Sequence, residues 1–499
     1  MSLLPREAEL PPGALPDEAD IEFASVADDT ATLKQPTPVA AHENEDSNRR
    51  RWWQLGPYID RVRTDSLLQN SLFIMANTAV TAVLGYAFWL MAAHMNRAPV
   101  VGLAVAITAA VSTAVTVAYV GVGGTLIQSL PRQSTDTGWS RTFWAGMVTV
   151  VFLTMAICGI ALVVLPSFSN HMMALRSVDY AVVFAVGTMA VAAGLTLDQT
   201  YIAERRARDM FARNSAAGVL KLIMLVLLGL AAGSGAMHLL GAWVGASVFG
   251  VGVGAALLIR QGRVGRPPGL SVLARTAMGF RSRVTGYQLA GLGPGLMPYL
   301  LALIVTDRLS TADNAYYFTT WTMAGVVLIV APAVSMSLFA EGVHRPDEIG
   351  ALARSAFRII GAILVPALVA MLIVGGTLLG NVGPAYADHA GGLLRIFALT
   401  SVPGAVNSVY GGILQAQGRL IAVASLSVGI HFGTLIVSWF LLPMLGINAV
   451  GWSLLAMQLC GCVFVVFHSR IWMSKTAIER SSPQGNRGRG LYLTELTEK

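Results

Sequence analysis

The feature that most constrains the fold of this 499-residue chain is an apolar block of about twenty residues that recurs along it. Such a block lets one helix cross a hydrocarbon core of about 30 Å. Only 12% of the residues are charged, about half the usual share in soluble domains. We count twelve blocks, starting near Leu67, Val100, Thr142, Val178, Phe211, Met237, Ala277, Asn314, Ser355, Gly391, Leu420 and Gly446. Since helices satisfy their own backbone hydrogen bonds in lipid, the sequence predicts an all-α polytopic membrane protein with about twelve transmembrane helices.

An acidic leader precedes the first block. The first 48 residues hold eleven acids, from Glu7 to Asp46, against Arg6 and Lys34. The leader lacks an apolar core behind a basic start, so we expect a disordered segment rather than a signal peptide. The basic and aromatic stretch RRRWWQLGPYIDRVR follows it. Such a stretch is typical of a juxtamembrane segment on anionic cytoplasmic lipids.

Arginines predict the orientation of the chain. With a cytoplasmic N-terminus, one set of loops holds sixteen arginines and the opposite set holds only Arg97, Arg176 and Arg308. The positive-inside rule then makes both termini cytoplasmic. We expect the leader and juxtamembrane segment at 1–65, a six-helix lobe at 66–260, a cytoplasmic linker at 261–277, a second lobe at 278–470 and a cytoplasmic tail at 471–499.

The chain also contains a weak internal repeat. Three matches occur in chain order, with offsets of 212, 211 and 214: Thr125–Ile127 with Ser337–Phe339, Arg208 with Arg419, and Phe143 with Phe357. The repeat unit therefore holds six spans. Six is an even number, so both halves insert the same way up, and we predict two six-helix lobes related by a pseudo-twofold axis along the membrane normal.

The glycine-rich stretch GVGGTLIQSLPR, Gly121 to Arg132, invites comparison with a phosphate-binding loop. Such a loop needs a lysine followed by serine or threonine, and neither follows these glycines. We interpret the glycines as sites of close helix packing or bending. The chain also lacks the HExxH and GxSxG motifs, and we expect it not to be an enzyme.

Three stretches resemble spans of bacterial polysaccharide-type flippases. They are NAYYFTTWTMAGVVLIVAPAVSMSLFAEGVHRPDE in the eighth span, GVGGTLIQSLPR in the second and LLRIFALTSVPGAVNSVYGGILQAQGR in the tenth. The likeness runs from about Asn70 to His468. It points to the oligosaccharide flippase (Wzx-like) branch of the multidrug/oligosaccharidyl-lipid/polysaccharide exporter superfamily, here called MOP.

The resemblance implies the V-shaped MOP flippase fold and a function. Its members move polyprenyl-diphosphate-linked oligosaccharides from the cytoplasmic to the outer leaflet of the bacterial inner membrane, without nucleotide hydrolysis. We expect no cofactor, with a coupling H⁺ or Na⁺ left open. Expected partners are the lipid-linked saccharide and anionic membrane lipids; the leader is either solvated or docks proteins of polysaccharide synthesis, and no nucleic acid is expected.

Ionisable groups inside the spans are candidate substrate-binding residues, because each costs about 3 kcal/mol to insert unless it meets a cavity or a partner. Lys221, about two turns into the fifth predicted span, is suited to a diphosphate, or alternatively it snorkels to the interface. Arg395, near the outer start of the tenth span, likewise either binds the diphosphate or snorkels to the interface. Asp198 is expected to pair with Lys221, to bind a coupling proton or to cap local backbone.

Uncharged polar residues extend this set of candidates. Side-chain amides suited to sugar hydroxyls, or to bridging two helices, are Asn77, Gln128, Gln288 and Asn407. In the seventh span, helix-weakening residues predict a bent or broken helix that acts as a hinge or lines the cavity, namely Gly291, Gly293, Pro294, Gly295 and Pro298. We expect the lone histidines His238 and His431 to be packing residues.

Two other functions stay open at this point. An ion-coupled multidrug or cation antiporter of the same superfamily would need buried carboxylates, and Asp198 is nearly the only one. A transport-dead scaffold would instead recruit cell-wall enzymes through the acidic leader. The basic balance of the chain, with a formal net charge of +7, favours an anionic substrate and hence the flippase.

Overall fold

The structure is a computed structural model that describes residues 66–119, 122–232, 235–262, 264–269, 271–273, 275–276 and 286–481. In these ranges every regular element is a helix. Eleven segments there are long and apolar enough to cross a membrane, by length and composition. The expectations for residues 1–65, Gly121 and residues 482–499 fall outside the described part of the chain.

The N-terminal lobe holds six of the predicted spans. Its helices are α1 Ser66–Met95, α2 Ala98–Tyr119, α3 Val122–Ser129, α4 Asp136–Phe168, α5 Val178–Ala203, α6 Ala207–Ala232 and α7 Ala236–Ile259. The short α3 follows α2 along the second span. One-turn and two-turn 3₁₀ segments, Leu130–Arg132 and Asn170–Arg176, follow α3 and α4.

The C-terminal lobe repeats this order. Its helices are α8 Gly286–Arg308, α9 Thr311–Leu328, α10 Val330–His344, α11 Ile349–Val382, α12 Pro384–Ala416, α13 Leu420–Leu445 and α14 Asn448–Ser481. The helix α8 occupies the seventh predicted span, although it is not among the eleven apolar segments. The last helix continues to Ser481, past the expected end of the lobe at residue 470.

Helix pairing confirms the two-lobe repeat. In the N-terminal lobe α1 packs on α6, α6 on α7, α5 on α7 and α4 on α5. In the C-terminal lobe α8 packs on α13, α13 on α14, α12 on α14 and α11 on α12. Each pair in one lobe therefore has its counterpart in the other.

Two tight turns occupy equivalent places in the lobes. Arg205, between α5 and α6, has a φ of 56°, and Gly418, between α12 and α13, has a φ of 69°. In each lobe a new helix begins two residues after this turn residue. The Arg206 N–H donates to the Tyr201 carbonyl, and the Arg419 N–H donates to the Leu414 carbonyl. The left-handed conformation is routine for glycine and strained for arginine.

The lobes meet at the start of α2 and α9. The Asn314 side chain, fully buried, donates from Nδ2 to the Gly102 carbonyl at 3.0 Å, and the two residues are 212 positions apart. This separation equals the repeat offset, so the pair lies on the pseudo-twofold axis. A Cβ on Gly102 would stand 1.6 Å from the Thr311 carbonyl oxygen. Glycine is required here because the two backbones touch.

The linker between the lobes is held against α4 where it is described. The Gly265 N–H donates to Ser140 Oγ at 3.0 Å, and Trp144 Nε1 donates to the Gly265 carbonyl at 3.0 Å. Leu273 packs against Ala145 and Trp144. The linker thus leaves the N-terminal lobe along the first turns of its third span.

Candidate functional site

The N-terminal lobe encloses a charged cavity of about 210 Å³ between α1, α5, α6 and α7. Asp198 reaches it from α5, and Arg213, Asn214 and Lys221 reach it from α6. The α6 residues recur on one helical face, because 214, 217, 218 and 221 are spaced by three or four. We call this space the charged cavity.

A buried ion pair closes one side of the charged cavity. Arg213 Nη2 lies 2.9 Å from Asp198 Oδ1, and the Arg213 side chain is only 5% exposed. The guanidinium also donates from Nη1 to the Gly194 carbonyl at 3.1 Å. A buried guanidinium needs such partners, because its hydration has been removed.

Two amides extend this pair towards α1. Asn214 Nδ2 donates to Asp198 Oδ1 at 3.1 Å and to Asn77 Oδ1 at 3.0 Å. Asn77, a predicted sugar-binding residue, is thereby joined to the ion pair. Asn70, two turns before Asn77 on α1, accepts from the Ala207 N–H at 2.9 Å and so satisfies a backbone donor in the first turn of α6.

The prediction that Asp198 pairs with Lys221 is wrong, because its ion-pair partner is Arg213. The sequence analysis counted Arg213, two residues past the expected start of the fifth span near Phe211, among the sixteen loop arginines. The helix α6 begins at Ala207 instead. Arg213 therefore lies inside it, on the face that carries Lys221.

Lys221 lies deeper than the sequence indicated. It is 14 residues into α6, which is about four turns, or roughly 21 Å at 1.5 Å per residue, rather than two turns. Its Nζ is 5.7 Å from the centre of the Phe88 ring and 6.0 Å from that of Trp243. Among the described residues it has no carboxylate at ion-pair distance. Aromatic faces stabilise this cation only partly.

A second and larger cavity, of about 740 Å³, lies in the C-terminal lobe between α8, α9, α10, α12, α13 and α14. Its described lining has no lysine, arginine, aspartate or glutamate; we call it the neutral cavity. Two pairs of lining residues, Ala190 with Ser401 and Ser247 with Gln458, are each 211 positions apart. The two cavities therefore occupy equivalent places in the repeat.

Asn407 lines the neutral cavity, away from Lys221. Its Nδ2 donates to the Gln458 carbonyl at 2.8 Å and to Gln458 Oε1 at 2.7 Å. Its Oδ1 is buried and has no hydrogen-bond partner in the described part of the chain, and the same holds for Ser335 Oγ on α10. Gln458 and Ser335 gave no signal in the sequence, because single polar residues in apolar spans are common.

Two other predicted site residues line neither cavity. Arg395 on α12 and Gln128 on α3 are exposed. Gln288 lies on α8, and its side chain is outside the described part of the structure. The structure thus gathers Lys221, Asp198 and Asn77 at one cavity and leaves Asn407 at the other.

The predicted hinge belongs to a helix that is continuous from Gly286 to Arg308, with Pro294 and Pro298 inside it. Pro294 lines the neutral cavity. A Cβ on Gly293 would lie 3.2 Å from the His431 side chain, so glycine leaves room for that imidazole. The roles of Gly291, Gly295 and Pro298 in bending α8 stay predictions.

Comparisons with known proteins bear on the fold. No protein-family model and no curated protein sequence matches the chain. The structure is similar to an inward-facing multidrug resistance MATE family transporter of the MOP superfamily, with a TM-score of 0.65, 12% identity and coverage of 82% of this chain and 99% of that chain. It is also similar to the lipid II flippase MurJ in an inward closed conformation, with a TM-score of 0.64, 9% identity and coverage of 80% and 87%.

The same kind of transporter in an outward-facing conformation is less similar. Its TM-score is 0.53, at 13% identity, with 82% of this chain and 96% of that chain covered. The fold is therefore that of MOP-type transporters. The described residues form a multi-pass all-α membrane protein with the fold of these MATE transporters and of the flippase MurJ.

Proposed function

We propose that the protein is a flippase of the Wzx-like type. It moves a polyprenyl-diphosphate-linked oligosaccharide, a precursor of a cell-envelope polysaccharide, from the cytoplasmic to the outer leaflet of the bacterial inner membrane. Both termini are cytoplasmic, as the sixteen arginines of one loop set favour. The two lobes rock about the axis on which Gly102 and Asn314 meet.

The observation that carries this proposal is the half-buried cation Lys221, midway along α6. Charge at this depth costs about 3 kcal/mol, and no carboxylate of the described residues pairs with it. An anionic ligand supplies the missing counter-charge. Phosphate oxygens bind lysine through charge-assisted hydrogen bonds, so a diphosphate headgroup suits the charged cavity, while the lipid tail stays in the bilayer.

Similarity to known structures bears on the conformation of the transporter. The TM-score is 0.65 against an inward-facing MATE transporter and 0.53 against an outward-facing one. The contact between Gly102 and Asn314 lies next to Arg97, in a loop expected on the outer side. In the proposed cycle, closure at this outer contact leaves loading of the substrate to the cytoplasmic side.

A cation antiporter is the second candidate, because similarity to MATE transporters favours it. Its ion or drug would need a free carboxylate. Asp198 already holds Arg213 at 2.9 Å and Asn214 at 3.1 Å. The other acids of the described helices lie near helix ends. This arrangement favours an anionic substrate over a cationic one.

The test is the accumulation of lipid-linked saccharides, sorted by leaflet, in cells depleted of the protein. Wild type and Lys221→Arg should clear an inward-facing polyprenyl-diphosphate saccharide, whereas Lys221→Gln should leave it in place. Increased sensitivity to cationic drugs without such accumulation would favour the antiporter instead.

The acidic leader needs a separate test, because a scaffold would act through it. Deletion of residues 1–48 should leave clearance of the lipid-linked saccharide unchanged if the protein is a carrier. Loss of polysaccharide synthesis in that deletion, with normal clearance in a Lys221→Gln variant, would support a scaffold.

A further inference from the structure

The helices α4 and α11, the third spans of the two lobes, bury the same positions. The buried residues are Thr142, Gly146 and Val150 on α4 and Ala356, Ile360 and Leu364 on α11. Each residue of one set lies 214 positions from its counterpart in the other, which is the offset between Phe143 and Phe357 in the sequence repeat. The two helices can therefore be compared position by position.

A second face of α4 is covered by the linker between the lobes. Ser140 Oγ accepts from the Gly265 N–H, and Trp144 Nε1 donates to the Gly265 carbonyl, both at 3.0 Å. Ala145, only 1% exposed, packs against Leu273 of the linker. The first turns of α4 thus hold the segment that follows α7.

The equivalent face of α11 is uncovered in the described part of the chain. At the offset of 214, the three linker-contacting positions of α4 correspond to Arg354, Arg358 and Ile359, and all three are exposed. Phe357 beside them is 43% exposed. The arginines share one side of the helix because they are four residues apart, and neither forms an ion pair with a described residue. We call Arg354, Phe357, Arg358 and Ile359 the α11 face.

The tail that follows α14 resembles the linker that follows α7. The linker stretch RPPGLSVLART, 266–276, and the tail stretch RGRGLYLTELT, 487–497, share an arginine, a glycine, a leucine and a threonine at an offset of 221. The preceding helices end at Ile259 and Ser481, which are 222 positions apart. The two stretches therefore stand at the same distance, within one residue, from the last helix of their lobes.

The tail and the α11 face differ from their counterparts in opposite charge. Glu495 and Glu498 of the tail stand where the linker has two alanines, at the same offset of 221. On the helix, Arg354 and Arg358 stand where α4 has a serine and a tryptophan. Two acids thus enter the segment, and two arginines enter the face that this segment would cover.

We propose that the tail, residues 487–499, lies on the α11 face as the linker lies on α4. Glu495 and Glu498 pair with the two arginines, and the three tail leucines at 491, 493 and 496 cover Phe357 and Ile359. One helix, α12, separates α14 from α11, so their axes are about 20 Å apart where they pack. The fourteen residues from Ser481 to Glu495 can span about 45 Å. The inference goes beyond the proposed function and holds whatever the substrate is.

Two other occupants of the α11 face fit less well. The acidic leader carries more negative charge, but it precedes α1, whereas the covering segment of the N-terminal lobe follows that lobe's last helix. An anionic phospholipid would satisfy the arginines, yet it would give no reason for the linker stretch to recur after α14. Only the tail accounts for both the charge and the repeat.

The test is photo-crosslinking of the full-length protein in its membrane. A benzophenone amino acid replaces Phe357 on the α11 face or, as a control, Ile373, which is 74% exposed farther along α11. The adducts are identified by mass spectrometry after proteolysis. We expect a peptide from residues 487–499 at position 357 and only acyl lipids at position 373. A leader peptide, acyl lipids alone or no adduct at position 357 would overturn the inference.

A charge exchange tests the pairing itself. Arg354→Glu with Arg358→Glu should reduce the tail adduct about three- to tenfold, the effect of two exposed ion pairs. Adding Glu495→Arg with Glu498→Arg should restore the adduct. The control Arg141→Glu alters an exposed arginine of α4 and should leave the adduct unchanged. Both helix substitutions lie at exposed positions, so the fold should persist. A lack of restoration, or an equal reduction in the control, would contradict the assigned pairs.

Discussion

The two lobes share one packing scheme but carry opposite chemistry at equivalent cavities. The charged cavity holds Asp198, Arg213 and Lys221 in about 210 Å³, whereas the neutral cavity holds only uncharged side chains in about 740 Å³. Helix packing therefore sets where a cavity forms, and a few side chains on its faces set what the cavity binds.

Breaking the ion pair of the charged cavity should have the largest effect. Arg213→Leu leaves Asp198 buried without its counter-charge, and removal of one partner of a buried pair costs about 3–5 kcal/mol. We expect a marked loss of monodisperse protein on heating in detergent. The double variant Asp198→Leu with Arg213→Leu should recover most of this loss, because no lone charge remains.

The exposed pair Arg345 with Glu348, 3.8 Å apart, is the matched control for that experiment. Exposed pairs contribute about 0–1 kcal/mol, so Glu348→Gln should leave the melting temperature almost unchanged. An equal loss for the single and double variants of the buried pair would show that packing, rather than charge, dominates at this cavity.

Moving a charge into the neutral cavity tests the difference between the lobes directly. Asn407→Asp places a carboxylate where no described lining residue offsets it, at a cost of about 3 kcal/mol on insertion scales. Thr81→Asp places the same group in the cavity that holds Lys221. We expect the melting temperature to fall more for Asn407→Asp. Equal decreases would contradict the electrostatic distinction between the cavities.

The axial contact offers a test of coupling between the lobes. Gly102→Ala puts a Cβ about where the Thr311 carbonyl oxygen stands, at 1.6 Å, so α2 and α9 must separate. Electron resonance distances between spin labels at Arg97 and Asp388 should lengthen. Gly252→Ala, with nothing within 4 Å of the new Cβ, should leave the distances unchanged, and lengthening in both variants would argue against a specific contact.

The smallest expected effect concerns the equivalent turns. Arg205→Gly removes the cost of holding arginine in the left-handed conformation, roughly 1–2 kcal/mol. Glycine loses more chain entropy on folding, and this loss offsets part of the gain in stability. We expect a gain of up to about 1 kcal/mol in unfolding free energy, measured by denaturation in mixed micelles. Gly418→Ala should lose a similar amount, and a loss for Arg205→Gly or a gain for Gly418→Ala would show that the turns are not equivalent.

The fold was predictable because its signals are long and additive. Apolar blocks, six-span offsets and arginine asymmetry each involve many residues, so an error of one turn does not change the topology. The site was less predictable, since a side-chain partner depends on where each helix starts. The helix starts at Ala207, four residues before the expected start near Phe211, and it carries Arg213 in its first two turns and Lys221 at mid-helix.

The neutral cavity was the least predictable part of the site. Asn407 was recognisable as a buried amide, but Ser335 and Gln458 acquire their meaning only from α10 and α14 meeting α12 in space. The face spacing of Asn214, Ala217, Gly218 and Lys221 was the one periodic signal that could have identified the charged cavity.

The meeting of Gly102 with Asn314 also bears on the history of the chain. In an ancestor made of two identical subunits, a residue on the twofold axis would face its own copy. Two glycines there could not form the present side-chain hydrogen bond, and two asparagines could not fit, since a single Cβ already collides with the partner's backbone. A complementary pair on this axis therefore requires two halves of different sequence, which a single chain that carries both halves provides.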